Sequence, residues 1–195
     1  MPPVTWDAGV LVVPATCPRE YLEGYLGPYR LLRADLAIVT MKGSPVPGSE
    51  DPSTIVAHLR RALGDARVVV TDFVPVPLAD VRGRDVFLAS TAPDRVVRGK
   101  VRHLEAEQGC TVVGWSGRLA DRAGLAEDLD AAPGYDVLLT ELKAAAIDVA
   151  SERALTRGAE VAFIDNRAVV VEGPTDLDDA LRRTIDLATT RGSDR

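Results

Sequence analysis

The stretch Tyr135–Arg153, YDVLLTELKAAAIDVASER, decides the fold. Its short apolar run, Val137–Leu139, is typical of a strand that is buried on both faces. The alanine-rich residues that follow predict a helix over Glu141–Arg157. A buried strand that leads directly into a helix is the repeating unit of a mainly parallel sheet, so the same unit should recur along the chain.

The unit does recur on both sides of this stretch. Further short apolar runs lie at Val10–Val13, Leu36–Val39, Val68–Val70, Val86–Ala89, Thr111–Val113 and Val161–Ile164. Helical patterns lie at Pro18–Leu32, Pro52–Leu63, Asp94–Gln108, Leu119–Leu129 and Asp176–Thr189. This alternation predicts an α/β fold with a doubly wound, mainly parallel sheet. Ligands of such sheets bind at the carboxyl ends of strands, so the residues just after each strand are the candidates for function.

Composition and charge argue against several classes of protein. The chain has 195 residues, 46% hydrophobic and 27% charged, which is enough for one core or two small lobes. Its net charge of −6 argues against a general nucleic-acid binder, which needs a basic face. No apolar run approaches the roughly 18 residues of a membrane helix. The N-terminus lacks a secretory signal and the cysteines lack a metal-ligand spacing, so we expect a cytoplasmic protein with reduced thiols.

Lys143 lies in the first turn of the predicted helix, where a cation is out of place. A helix N-terminus carries unpaired N–H groups and the positive end of the macrodipole, so an exposed cation there costs about 0.3–1 kcal/mol. Either an anion such as a phosphate binds at this turn, or the lysine side chain bends into water. Thr140 is the expected N-cap of the helix, and Glu141 suits its dipole.

Two other strand ends offer candidate ligands. Thr40 and Lys42 follow the run Leu36–Val39, and a lysine there either points into the crevice or is a solvated loop residue. Thr91 lies in the segment Ser90–Pro93, whose hydroxyls are expected to cap the next helix. Anion binding by the first N–H groups of that helix is compatible with such capping.

Asp165, Asn166 and Arg167 follow another buried run. Asn and Asp favour turns, so these residues predict a hairpin in which Val169–Val171 pairs with the preceding strand. Arg167 is either an exposed turn residue or a guanidinium fork for bidentate recognition of a phosphate.

The segment GYLGPYR, Gly24–Arg30, interrupts a helical pattern. Its glycine and proline should break or restart the helix at Gly27. Tyr29 and Arg30 would then lie at a substrate-facing turn or at a structural kink. The strong nucleotide signature, GxxxxGK[ST], does not occur in the sequence.

Four stretches together resemble the cyclic 2,3-diphosphoglycerate synthetases. They are GYLGPYRLLRADLAIVTM (Gly24–Met41), DVFLASTAP (Asp85–Pro93), DVLLTELKAAAIDVASERAL (Asp136–Leu155) and GAEVAFIDNR (Gly158–Arg167). The similarity extends from about Val10 to about Leu187. The segments TELKAAA and DNR are the most specific, because they match in both residue type and spacing.

The resemblance implies an ATP-dependent, ADP-forming ligase that joins the two phosphates of 2,3-diphosphoglycerate into a ring, with Mg²⁺ accompanying the nucleotide. It implies that residues 1–80 are the later half of a P-loop-type nucleotide domain and that residues 81–195 are a C-terminal α/β portion. The composition shift at Pro75–Arg84 is the candidate linker between them.

The resemblance and the strand ends together predict the site residues. Lys143 and Arg167 are the predicted catalytic cations, because ring closure brings like charges together and cations offset their repulsion. The predicted substrate-binding residues are Tyr29, Arg30, Arg122, Thr140, Glu141 and Asn166. The predicted cofactor-binding residues are Thr40, Lys42 and Thr91, and Asp165 is expected to assist Mg²⁺.

The absence of GxxxxGK[ST] limits the activity that we expect of this chain. We expect no ATP hydrolysis by this chain alone, with a missing N-terminal region or another chain supplying the P-loop. The alternative is a non-catalytic α/β module that binds a phosphorylated metabolite or serves as an oligomerisation partner, for example in a homodimer.

Overall fold

The computed structural model describes residues 6–15, 19–24, 26–40, 51–142, 144–173 and 176–193. The elements in chain order are β1 (Val10–Pro14), α1 (Arg19–Glu23), α2 (Gly27–Leu32), β2 (Leu36–Thr40), α3 (Pro52–Leu63), β3 (Val68–Pro77), β4 (Asp85–Ala89), α4 (Asp94–His103), β5 (Thr111–Ser116), α5 (Arg122–Asp130), β6 (Val137–Glu141), α6 (Ile147–Thr156), β7 (Glu160–Glu172) and α7 (Leu177–Ser193). The chain forms two compact units, Met1–Phe73 with Ala168–Arg195, and Val74–Arg167.

The first unit is built on parallel pairing of β1, β2 and β3. Helix α3 packs on one face of these strands through Ile55 and Leu59, both fully buried. Helix α7 packs on residues of the other face, with Ala180 against Leu36 and Ile38. Full burial of a Leu or Ile side chain contributes about 1.5–3 kcal/mol, so these contacts hold the helices on the sheet.

The second unit has β4 between β5 and β6, and β6 pairs in turn with β7, all in parallel. Helix α4 covers one face, with Val97 packed among residues that include Leu139. Helices α5 and α6 contribute to the cluster on the other face, where Leu125 and Ala150 pack with Leu138. Adjacent residues of β6 thus face opposite layers, as strand geometry requires.

These features confirm the predicted α/β fold with a mainly parallel sheet. Within the described ranges there are seven strands, and helices flank them in both units. The predicted restart at Gly27 is also confirmed, since α1 ends at Glu23 and α2 begins at Gly27. The P-loop-type character of the first portion stays a prediction. No helix in the part of the chain that the structure describes is both long and apolar enough to cross a membrane.

The predicted start of the helix after β6 is wrong. Helix α6 begins at Ile147, not at Glu141. Thr140 and Glu141 instead complete β6, because the parallel ladder continues through them: Thr140 pairs with Ala89, and Glu141 pairs with Ile164 on β7. Thr140 is therefore no N-cap, and the first turn of α6 does not include position 143.

The predicted hairpin at Asp165–Arg167 is also wrong. These residues lie inside β7, which runs without a break from Glu160 to Glu172. Each half of β7 packs in a hydrophobic cluster. Ile164 packs in the second unit and Val170 packs in the first, so extended backbone between them buries both ends.

Candidate functional site

Five polar residues of the second unit meet where β4 and β6 end. Ser90 and Thr91 follow β4, Glu141 ends β6, Asn166 lies on β7, and Lys100 reaches them from α4. We call these five residues the Glu141 cluster. The parallel pairing of β4 with β6 brings the ends of these two strands to the same edge of the sheet, and Glu141 pairs with Ile164 on β7, two residues before Asn166.

The carboxylate of Glu141 accepts four hydrogen bonds. Its Oε1 accepts from Ser90 Oγ at 2.7 Å and from Lys100 Nζ at 2.8 Å. Its Oε2 accepts from the Thr91 backbone N–H at 3.1 Å and from Thr91 Oγ1 at 2.7 Å. An ionised carboxylate has about four lone-pair sites, so the group is saturated.

The ammonium group of Lys100 is saturated as well. Besides Glu141, it donates to Ser90 Oγ at 3.3 Å and to Asn166 Oδ1 at 3.2 Å, which uses all three of its N–H donors. The side chains of Lys100 and Glu141 are only 11% and 14% exposed. Ser90 is fully buried, and its Oγ also accepts from the Ala92 N–H at 3.1 Å. The cluster is therefore electrically balanced and satisfied internally.

The surroundings of Glu141 keep it ionised. Burial by itself raises the pKa of this carboxyl, but hydrogen bonds from Lys100, Ser90 and Thr91 and the charge of Lys100 outweigh that effect and lower the pKa to about 2. A group with so low a pKa is a poor general acid or base near neutral pH. The chemistry open to Glu141 is to hold cations and hydroxyls in place.

A second polar network fixes the backbone of Ser90. The Ser90 N–H donates to the carbonyl of Ser116 at 2.9 Å, and the Leu119 N–H donates to the carbonyl of Ser90 at 3.2 Å. Asp128 holds this loop by accepting from Ser116 Oγ at 2.6 Å and from Arg118 Nε at 3.0 Å. The bond from Arg118 is the main reason that the pKa of Asp128 is lowered.

Gly117 lets this loop approach the end of β4 closely. A Cβ at this position would lie 2.8 Å from the carbonyl oxygen of Ala92 and 3.1 Å from Oδ1 of Asp94. Any side chain would therefore push the two loops apart. The glycine is needed here for close backbone approach and not for an unusual φ.

The structure places the predicted residues of β6 and β4 differently from expectation. Thr140 is fully buried, and its Oγ1 has no hydrogen-bond partner among the described residues. Thr91 does not cap α4, because its hydroxyl donates to Glu141 and the N-cap position is Pro93, which makes no side-chain cap. The predicted capping role of this hydroxyl is therefore wrong.

Asp165 and Arg167 flank Asn166 on β7, and both are exposed. Neither side chain bonds to a residue that the structure describes. Arg167 follows Asn166 of the Glu141 cluster in sequence, and its guanidinium has no partner in the described ranges. In the same ranges no group of three or more His, Cys, Asp or Glu side chains is arranged to hold a metal ion, and the assignment of Asp165 to Mg²⁺ stays a prediction.

Arg122, predicted to bind substrate, is engaged elsewhere in the second unit. Its guanidinium donates to both carboxylate oxygens of Asp148 at 2.7 Å, and to the carbonyl of Ala145 at 3.1 Å. This bidentate pair ties the first turn of α5 to the start of α6.

Three predicted residues lie in the first unit. Tyr29 packs edge-to-face on Trp6, with ring centroids 6.4 Å apart, and the Arg30 guanidinium lies 4.8 Å from the ring centroid of Tyr21. The carbonyl of Thr40 accepts from the Ala15 N–H at 2.7 Å. Lys42 and Lys143 lie outside the described residues, so the roles predicted for them stay predictions.

Sequence reasoning missed Lys100. The residue lies three positions after Val97 and four before Leu104, and both of those side chains are fully buried. A lysine at this spacing falls on the apolar face of the helix, where a charge needs a partner. That misplaced charge is the signal by which Lys100 could have been found.

Two family models match this α/β chain. One is described as the P-loop domain of cyclic 2,3-diphosphoglycerate synthetase and matches residues 1–72; the other is the C-terminal domain of the same protein and matches residues 77–167. Curated relatives carry the same name. The chain is 44% identical to the cyclic 2,3-diphosphoglycerate synthetase of Rubrobacter xylanophilus over 94% of its own length, and 40% identical to that of Methanothermobacter thermautotrophicus over 96%.

The chain therefore belongs to the cyclic 2,3-diphosphoglycerate synthetase family, and the resemblance seen in its sequence is confirmed. It spans about two fifths of the length of these relatives, 40% and 41%. A solved structure of unliganded arylmalonate decarboxylase is 17% identical, covers 93% of this chain and 91% of its own, and has a TM-score of 0.33, too low to support an inference.

Proposed function

We propose that this chain forms part of an ATP-dependent cyclic 2,3-diphosphoglycerate synthetase-like enzyme, a ligase that closes an intramolecular phosphoanhydride. Family membership and the names of the relatives support the reaction class. The observation that carries the proposal is the Glu141 cluster, a saturated polar group where the parallel strands β4 and β6 end; it is followed in sequence by Arg167, an exposed residue with no partner among the described residues. Ligands of α/β sheets bind at such an edge.

The substrate site would lie beside the Glu141 cluster, not within it. Its ligands would be Arg167 and Lys143, which is two residues beyond Glu141 in sequence. 2,3-Diphosphoglycerate carries two phosphates and a carboxylate, and ring closure forces the phosphates together. Preorganised cations that face the developing anhydride would offset that repulsion.

Nucleotide use is a separate part of the proposal. Residues 1–72 match a P-loop domain model, while the signature GxxxxGK[ST] is not among the 195 residues. We propose that ATP binds with a P-loop supplied by polypeptide outside these residues, and that Mg²⁺ arrives with the nucleotide phosphates. The division into residues 1–80 and 81–195, and a cytoplasmic location, remain parts of this proposal.

Ligand-dependent thermal stability tests the substrate site. We expect 2,3-diphosphoglycerate to stabilise the chain by about 2.7 kcal/mol at a hundred times its Kd, because a ligand that binds only the folded state shifts unfolding. The measurement is a melting-temperature titration at low salt, where charge interactions are least screened. Arg167→Ala should lose most of the gain, and Arg183→Ala, which removes an exposed arginine on α7, should keep it.

Identical melting curves with and without ligand would contradict the proposal. An Arg167→Ala variant that is stabilised as much as the unaltered chain would contradict the assigned residue alone. The second candidate function, a non-catalytic module that binds the same class of metabolite or mediates oligomerisation, is favoured by the missing signature. It predicts ligand binding with no ATP turnover even when the part of a relative that this chain does not cover is added in trans.

A further inference from the structure

We propose that the open edge of β1 is a docking surface for a β-strand of polypeptide outside these 195 residues, which belongs to the same P-loop domain. This inference rests on one part of the proposed function, the supply of the P-loop from outside these residues. It adds the surface on which that polypeptide binds.

The backbone of β1 has one open side. Among the described residues, β1 pairs with β2 alone. The Ala15 N–H, just after β1, donates to the carbonyl of Thr40 at the end of β2, at 2.7 Å. Successive residues of a strand direct their N–H groups to opposite sides, so the N–H groups of Val10 and Val12 point away from β2. A further strand can accept hydrogen bonds from them.

The side chains of Val10 and Val12 lie on a face of β1 that is left uncovered. They are 45% and 60% exposed, whereas Val13 of the same strand is buried in the cluster that includes α3. They pair in register with Leu36 and Ile38 of β2, which pack against α7 on that face. Strands of parallel sheets are normally covered on both faces. The exposed valines therefore form an apolar surface next to the open backbone.

The strand β5 provides a contrast, because it also pairs with one strand only but is protected. Its Val112 N–H donates to Oε1 of Glu105 at 3.3 Å, so a side chain occupies this amide. Its register with β4 shifts between Val86 and Phe87, which is a bulge. Bulges and charged side chains are the means by which proteins prevent edge strands from pairing. In the described residues, β1 has neither a register shift nor a side chain bonded to its open N–H groups.

The family comparison indicates which polypeptide fits this edge. Residues 1–72, which include β1, match the P-loop domain model, but the signature GxxxxGK[ST] is not among the 195 residues. A P-loop connects a strand to a helix, so the polypeptide that supplies it also supplies a strand. The chain covers 40% of the Rubrobacter xylanophilus relative, which therefore has ample further polypeptide. A second copy of this chain would leave the domain without its signature.

Co-purification tests the docking surface. The probe is the part of the Rubrobacter xylanophilus synthetase that this chain does not cover, tagged and produced in the same cells as the full 195-residue chain. We expect the probe to retain the chain in a one-to-one complex. Val12→Lys should lower the retained amount at least about tenfold, because it places a charge on the apolar surface that the probe covers. Leu155→Lys is the matched control, since it alters a side chain that is 66% exposed in the second unit, and it should retain the chain within about twofold.

Proline variants separate strand pairing from a purely apolar contact. Val12→Pro removes an N–H that points to the open side, where proline is tolerated, so the melting temperature of the isolated chain should change by less than about 3 °C. The amount retained by the probe should nevertheless fall at least about fivefold, because a ladder hydrogen bond is lost. Leu11→Pro removes an N–H that points to β2 and should lower the melting temperature much more. Equal melting temperatures for the two variants, or full retention of Val12→Pro, would contradict strand pairing.

A chimera provides a measurement that does not require the probe to fold alone. In it, the 195 residues replace the part of the Rubrobacter xylanophilus synthetase to which they are 44% identical. Val12→Lys should lower the melting temperature of the chimera by at least about 3 °C and that of the isolated chain by less than about 1 °C, because the side chain becomes buried only in the chimera. Equal shifts in both proteins would overturn the inference.

The remaining outcomes distinguish the occupants and the two proposals. A complex that Val12→Lys leaves intact would place docking elsewhere and overturn the inference. A dimer of the 195-residue chain in sedimentation, made monomeric by Val12→Lys, would identify a second copy as the occupant and overturn it too. A complex that depends on Val12 but has no ATP turnover would contradict the proposed function and support this inference.

Discussion

Two ion pairs in the second unit have nearly the same geometry in different surroundings. Lys100 and Glu141 meet at 2.8 Å with side chains 11% and 14% exposed, and Arg122 and Asp148 meet at 2.7 Å with side chains 57% and 64% exposed. Judged by distance alone, the two pairs would stabilise the fold equally. Burial separates them, because water screens the exposed pair and competes for its hydrogen bonds.

Removal of one partner of the buried pair should have the largest effect on the free energy of unfolding. Lys100→Met should destabilise the chain by about 2–4 kcal/mol, a little less than the loss for a completely buried pair, since Glu141 is left charged and largely desolvated. Urea unfolding followed by circular dichroism measures the change. Lys100→Met combined with Glu141→Gln should recover part of the loss, and a double variant as unstable as the sum of its parts would show that the two residues are not coupled.

The dependence of stability on pH should show the same difference between the buried and the exposed pair. The pKa of Glu141 is lowered from 4.5 to about 2, so its contribution to stability is complete above pH 4.5 and is lost as pH falls toward 2. That shift corresponds to at most about 3 kcal/mol. Glu141→Gln should therefore lose less stability than the unaltered chain between about pH 5 and about pH 2 in urea titrations.

The exposed carboxylate provides the control for this titration. The pKa of Asp148 is also lowered, mainly by the hydrogen bond from Arg122, but solvent screening makes the linked stability small. Asp148→Asn should follow the pH profile of the unaltered chain closely. If Glu141→Gln and Asp148→Asn weakened the pH dependence of stability equally, burial would not explain the difference between the two pairs.

Thr140 extends the comparison to a buried polar group with no partner in the described ranges. Its hydroxyl is fully buried, next in sequence to the saturated Glu141, and no described residue bonds to it. Thr140→Val keeps the shape and removes the cost of desolvating the hydroxyl, so we expect a gain of about 1 kcal/mol in the free energy of unfolding. Ser116→Ala is the opposite case, because it removes a buried hydroxyl that donates to Asp128, and it should be destabilising in the same urea experiment.

The smallest effect should come from the exposed pair itself. Arg122→Ala should change the free energy of unfolding less than Thr140→Val does, despite the loss of two hydrogen bonds of 2.7 Å. Urea unfolding under the same conditions measures it. A loss as large as that of Lys100→Met would reverse the conclusion that burial decides how much each pair stabilises the fold.

The periodicity of the sequence predicted the alternation of strands and helices, because apolar runs and amphipathic patterns are local. It placed Glu141 near the end of a strand, where the structure has it. It failed at the start of α6, where propensity favoured a helix over residues that the neighbouring strands hold extended. It failed at Asp165–Arg167 for a related reason. Turn propensity is a local property of the sequence, whereas β7 is held extended by packing against residues that are far away in sequence.

Lys100 could not be predicted from a motif, because its partners come from elements far away in sequence. Glu141 is 41 residues away and Asn166 is 66 residues away. Only the folded sheet brings them together. A charge on the apolar face of a helix indicates that some partner exists, but not which residue it is.

Because the Thr91 amide donates a hydrogen bond to Glu141, amide hydrogen exchange can measure how fast the cluster opens. Thr91 is exposed, so its amide hydrogen would exchange quickly with solvent if the carboxylate did not hold it. Exchange at this one position therefore measures how often the cluster opens, on a time scale that equilibrium unfolding does not resolve. Slower exchange in the presence of 2,3-diphosphoglycerate would mean that an occupied site opens less often.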